Sequence, residues 1–200
     1  MPFTLAILVT VLSYTWYLAP RLPREAVSVA GVIVVALAFW HDVRAKEWGF
    51  DMKALVPGLR AATIFTAPLV LVILAAGAAA ATLHAVRGGL TELGALVMWG
   101  GAQQWVLQTV VLREAQHATS RRLGGFLAAL LFAILHLPNP MLSAVTLVGA
   151  LGWCAIYDRH ANIIPLALSH ALGTLALLYA FDDGLTGGLR VGAAFLTRRG

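Results

Sequence analysis

The chain has 200 residues, of which 60% are hydrophobic and 12% charged, with a formal net charge of +5. Soluble domains carry about 25% charged residues, and a mean hydropathy of +0.83 leaves too little polar material for a surface facing water. A soluble globular domain is excluded on that ground, and nucleic-acid binding on another: the basic residues are scattered through short connections without a dense patch.

A hydrocarbon core of roughly 30 Å takes about 20 helical residues to cross. Between charged and Pro/Gly punctuation the sequence offers seven apolar stretches, at 3–19, 26–40, 61–85, 91–112, 122–136, 141–157 and 162–181. The expected fold is therefore all-α: one integral membrane domain over 1–200, a bundle of about seven membrane helices. The first stretch has no basic region before it and ends in Ala19-Pro20-Arg21, which is not a cleavage signal, so it reads as a retained helix. Between the second and third, 41–60 mixes charges with Trp48, Phe50, Met52, Leu55 and Val56. That composition suits either an amphipathic segment lying on the membrane or an ordinary polar loop. The fifth and sixth stretches are short and separated by Pro138 and Pro140, which predicts a tight turn at or within the membrane. After 181 the chain is Gly-rich, and its one modest apolar run, 191–196, leaves an eighth helix open.

With seven spans, the loops on the amino-terminal side hold Arg44, Lys46, Lys53, Arg60, Arg113, Arg121, Arg122 and Arg159. The opposite side holds Arg21, Arg24, Arg87, Arg190, Arg198 and Arg199. The positive-inside rule then puts the amino terminus in the cytoplasm, and the expected location is the bacterial cytoplasmic membrane.

Several polar side chains fall within the apolar stretches. Gln103 and Gln104 lie well inside the fourth, and Gln108 follows Gln104 by one helical turn. An amide facing lipid loses its hydrogen bonds to water at a cost of roughly a few kcal/mol, so these residues are expected to face protein or a polar cavity. His136 closes the fifth stretch and His170 lies midway along the seventh, where an ionisable ring is a functional candidate. One intramembrane cavity lined by Gln103 or Gln104 with Gln108, His136 and His170, and bordered by Thr174, is the expectation. His41, His84, His117 and His160 fall in or beside loops and read as solvated or interfacial. Glu114 and His117, three apart, resemble half of a di-iron ligand set, but the second Glu-x-x-His and two further glutamates are missing. No metal and no cofactor is expected, and Cys154, alone in an apolar run, reads as an inert thiol.

The order and spacing of these residues resemble the CPBP family, the CAAX-processing and bacteriocin-processing intramembrane endopeptidases. That family's motifs are Glu-Glu-x-x-x-Arg, Phe-x-x-x-His and His-x-x-x-Asn. The second is intact as Phe132-Ala133-Ile134-Leu135-His136, followed by Leu137-Pro138-Asn139. The stretch from Gly149 to Tyr157, Ile164-Pro165 and Ser169-His170-Ala171-Leu172 are similar to the third region. The resemblance covers roughly 95–180, the CPBP-like core. It implies that a glutamate at the position of Gln103 would activate water, while both histidines and an asparagine position it and stabilise the oxyanion. This chain departs from that pattern. Gln103 and Gln104 replace the glutamates, Gln108 the arginine, and Thr174 the asparagine. An amide has donors and an acceptor but no usable basicity. The resemblance thus leaves three readings: a fold-sharing protein without glutamate-dependent hydrolysis; a true endopeptidase with His136 or His170 as base; or a metalloenzyme with those two histidines as ligands, one short of the usual three. Membrane lipids are expected neighbours, with a membrane-embedded or lipidated protein, or an apolar lipid-like ligand, as partner.

Overall fold

The computed structural model describes residues 1–23, 26–85 and 89–197. Among them no strand forms, and the nearest approach to one is an isolated antiparallel bridge between Phe50 and Asn162. Arg24, Arg87, Arg198 and Arg199, four of the six basic residues assigned above to the far side, lie outside the described residues.

The apolar stretches all form helices. Helix α1 (Pro2–Leu12), with proline in its first turn, continues into a π-helical turn, Ser13–Leu18. Helix α2 spans Ala26–Ala45 and α3 spans Leu55–Ala79. Helix α4 (Gly89–Trp105) runs into a second π turn, Val106–Leu112, and then into α5 (Arg113–Ala118). Helices α6 (Arg121–Ile134), α7 (Pro140–Tyr157) and α8 (Ile163–Ala180) follow, and two short helices, α9 (Asp183–Thr186) and α10 (Ala193–Leu196), close the described chain. Of these, Met52–Ala79, Pro140–Tyr157 and Ile163–Ala180 are long and apolar enough to cross a membrane, and Pro2–Leu18 is a shorter apolar helix.

Two boundaries differ from expectation for one reason. Helix α2 runs past position 40 to Ala45, and α3 stops at Ala79 instead of 85. Each ends on a non-glycine residue in the left-handed conformation, Lys46 (φ 55°) and Ala81 (φ 55°). The next N–H then reaches back five residues, Glu47 to Asp42 and Thr82 to Gly77, which is the Schellman ending that glycine usually marks. The 41–60 region is accordingly not one continuous element. Its first residues belong to α2, and Asp51 caps a 3-10 turn at Met52–Ala54 that leads into α3.

The chain divides into two compact units. The first comprises Met1–Trp48, Trp105–Cys154 and Leu189–Gly200. Its apolar centre is Ile7, Ala38 and Val110, flanked by Phe3, Val11, Val34 and Leu37. Two acidic residues pin its helices. Glu114 accepts from the N–H groups of Phe3 and Thr4 at 3.3 and 2.8 Å, closing the open start of α1. Burial pushes this carboxyl up, but hydrogen bonding from Thr4 and Phe3 with the amino-terminal charge outweighs it and holds Glu114 below the usual carboxylate range. Through these contacts Glu114 ties α5 to the start of α1. Glu47 takes an ion pair at 2.6 Å from Arg113.

In the second unit, Gly49–Gln104 and Ala155–Gly188, α3 packs along α8. Gly77 permits the closest approach: a Cβ there would stand 2.5 Å from the Ala180 carbonyl oxygen. Buried Thr66 and Ser169 share a hydroxyl hydrogen bond of 2.5 Å across the same interface. Fully buried Asn162 accepts from the N–H of Ile164, capping α8, and donates to the Asp51 carbonyl at 2.8 Å. Large apolar side chains point outward along several helices, with Val32, Val56, Leu71 and Met98 each more than 65% exposed. Such a surface is stable against lipid and not against water.

Candidate functional site

The glutamine pair sits on the last turn of α4, where Gly100 and Gly101 precede it. A Cβ on Gly100 would lie 3.2 Å from Cγ of His170, and one on Gly101 would lie 3.5 Å from Ala167. The missing side chain at Gly100 therefore lets α4 close on α8 at the histidine, while the Gly101 distance is an ordinary contact. That closeness brings the Gln104 amide nitrogen to 3.3 Å from Nδ1 of His170, with both residues buried. An amide N–H donates, so Nδ1 accepts, and the ring proton sits on Nε2 of a neutral imidazole. Gln103, the position aligned with the water-activating glutamate, is only half buried. Thr174 lies four residues after His170 on α8 and is also half buried.

In the first unit, His136 follows the end of α6. Its Nδ1 is 2.7 Å from the Phe132 carbonyl oxygen, and its ring stands edge-on to Phe132 with centroids 4.8 Å apart. Phe132 in turn stands edge-on to Trp153. A carbonyl can only accept, so Nδ1 carries the proton and Nε2 keeps its lone pair. The two motif histidines thus hold opposite tautomers. His170 presents a donor at Nε2, and His136 presents an acceptor there. The Phe of the Phe-x-x-x-His pattern earns its place by orienting the imidazole one turn on. Gln108 is fully buried in the π turn.

The sequence reading missed a buried carboxylate. Asp42 has no exposed surface; it accepts from the Trp105 indole N–H at 2.6 Å and lies 2.9 Å from Nδ1 of His41. His41, expected to be solvated or interfacial, is instead largely covered, with 11% of its side chain exposed. Its position beside a charged connection hid it, because nothing in the sequence shows that α2 continues past Trp40. Among the described residues no group of three or more His, Cys, Asp or Glu is placed to hold a metal ion, and Cys154 is buried.

Apolar helices with outward apolar faces and a buried amide–imidazole pair define an integral membrane helical protein. Residues 90–176 match the family described as type II CAAX prenyl endopeptidase Rce1-like. The CPBP resemblance read from Phe132–His136 and its neighbours is borne out by that match, which supports an intramembrane protease-like fold. No curated protein and no solved structure matches the chain.

Proposed function

We propose that this Rce1-like protein binds a membrane-embedded or lipidated partner, or an apolar lipid-like ligand, at a polar intramembrane site and does not carry out glutamate-dependent peptide hydrolysis. The observation that carries the reading is the Gln104–His170 hydrogen bond. Where a carboxylate could take a proton from water, an amide instead occupies the imidazole's lone pair and offers no base. Motif order assigns Gln103, Gln108, His136 and Thr174 to the same function. The topology proposed with it has seven membrane helices and a cytoplasmic amino terminus in the bacterial membrane. Cysteines introduced within 44–60 and 113–122 then stay unreactive to an impermeant reagent applied outside intact cells, and labelling there would reverse the orientation.

A second reading is favoured by a specific contact. The Phe132 carbonyl fixes the His136 proton on Nδ1, and the free lone pair on Nε2 is what a general base needs. Purified protein incubated with membrane-anchored peptides separates the two. The expected result is background cleavage from both wild type and His136→Ala. Robust wild-type cleavage that vanishes in His136→Ala would overturn the binding reading and make His136 the base of an active endopeptidase.

A further inference from the structure

Among the described residues the first unit holds three carboxylates, Asp42, Glu47 and Glu114, and each is engaged inside the unit. Asp42 accepts from Trp105 and lies against His41, Glu47 pairs with Arg113, and Glu114 closes the start of α1. The remaining cations find no acid there. Arg44, Lys46 and Arg122 are exposed and make no ion pair among the described residues.

These three cations belong to one end of the unit. The Arg113 guanidinium that pairs with Glu47 also donates to the Gln116 side chain at 3.0 Å, and the Gln116 amide donates to the Arg121 carbonyl at 3.3 Å. That run of contacts ties the end of α2, where Arg44 and Lys46 lie, to the start of α6, which carries Arg122. Aromatic rings rim the same end: Phe39, Trp40 and Trp48 are exposed, and indole rings facing outward beside cations suit the boundary between hydrocarbon and headgroups.

Trp40 also holds Arg44 in place. Helical side chains lean toward the amino-terminal end of their own helix, and Arg44, one turn after Trp40, lies with its guanidinium carbon 5.3 Å from the centre of the indole ring. The lean draws this charge toward the apolar part of α2 instead of out into water. From Arg44 the i, i+4 row runs back along α2 through Trp40 and Ala36 to Val32, all of them exposed. A cation heads the row, and only apolar and aromatic side chains follow it.

From these observations we infer that the end of α2 is a docking site for an anionic phospholipid. Its phosphate meets Arg44, Lys46 and Arg122 supply the surrounding positive field, and one acyl chain lies along Trp40, Ala36 and Val32. A zwitterionic lipid fits the same row, but it brings no net charge to answer the unmatched cations. A second arginine–aromatic pair supplies the contrast. Arg21 lies 4.4 Å from the centre of the Tyr17 ring, but its guanidinium already donates to the Tyr17 main-chain carbonyl. The site stands apart from the proposed function, because neither Gln104 nor either motif histidine takes part in it.

Full-length protein in a nonionic detergent, titrated with tail-labelled phosphatidylglycerol or phosphatidylcholine and followed by anisotropy, tests the site. Wild type should bind phosphatidylglycerol at least about fivefold more tightly than phosphatidylcholine, and Arg44→Gln should weaken the first about fivefold, the worth of one cation near an anionic surface, while leaving the second unchanged. Arg21→Gln should alter neither. Soluble glycerol 3-phosphate, which has the charge but not the chains, should not compete at equal concentration. Equal affinity for the two lipids, wild-type binding by Arg44→Gln, an equal loss in Arg21→Gln, or displacement by glycerol 3-phosphate each overturns the site. Should Arg44→Gln fail to fold, Lys46→Gln/Arg122→Gln takes its place with at least the same expected loss, and unchanged binding rejects the proposal.

Discussion

A triple variant, Gln103→Glu/Gln104→Glu/Gln108→Arg, should hydrolyse a membrane-anchored peptide about 10²–10⁴ times faster than wild type, the range that general-base catalysis contributes. Mass-spectrometric product formation measures it. The expectation rests on what the fold already holds. His170 is buried within reach of position 104, and His136 is oriented by the Phe132 carbonyl. The arginine belongs in the variant because positions 104 and 108 are fully buried. An uncompensated charge there costs several kcal/mol, and the double glutamate without Arg should be less stable and less active than the triple. His136→Ala on the triple background should return cleavage to the wild-type level. A triple variant no faster than wild type would show that restoring the motif's charged residues does not by itself raise hydrolysis.

Removal of Asp42 should be the most damaging single truncation outside that site. Asp42→Ala strands the Trp105 indole N–H and the His41 ring within the first unit, and should cost about 3 kcal/mol. Asp42→Asn keeps an acceptor for one of the two donors and should cost about half as much. Thermal or denaturant unfolding followed by tryptophan fluorescence distinguishes these outcomes. A cost for Asp42→Ala below about 0.5 kcal/mol, the range of an ordinary surface change, would mean that water replaces the carboxylate.

Periodicity and apolar length were enough to find the helices, because a run such as 141–157 has no competing structure once water is excluded. The starts of α6, α7 and α8 fall within one residue of the expected 122, 141 and 162, where Ser120, Asn139 and Asn162 cap them, whereas α3 starts at Leu55 and not at 61. The ends of α2 and α3 were not marked, because Lys46 and Ala81 adopt a glycine's conformation without being glycine. The six candidate residues followed from polarity in apolar surroundings and from motif order. Which glutamine meets His170 did not follow, since that depends on how closely α4 approaches α8. Gly100 was the available signal. Asp42 was hidden for a different reason: a carboxylate at the edge of an apolar run looks solvated until its partners, 63 residues away in the case of Trp105, are known.

The amide–imidazole pair also has an electrical consequence. A charged group in the bilayer feels the transmembrane voltage with about 2.3 kcal/mol per unit charge per 100 mV. Gln104 carries no charge, and His170, accepting at Nδ1 while protonated only at Nε2, carries none either. The pair itself therefore gives that field no charge to act on.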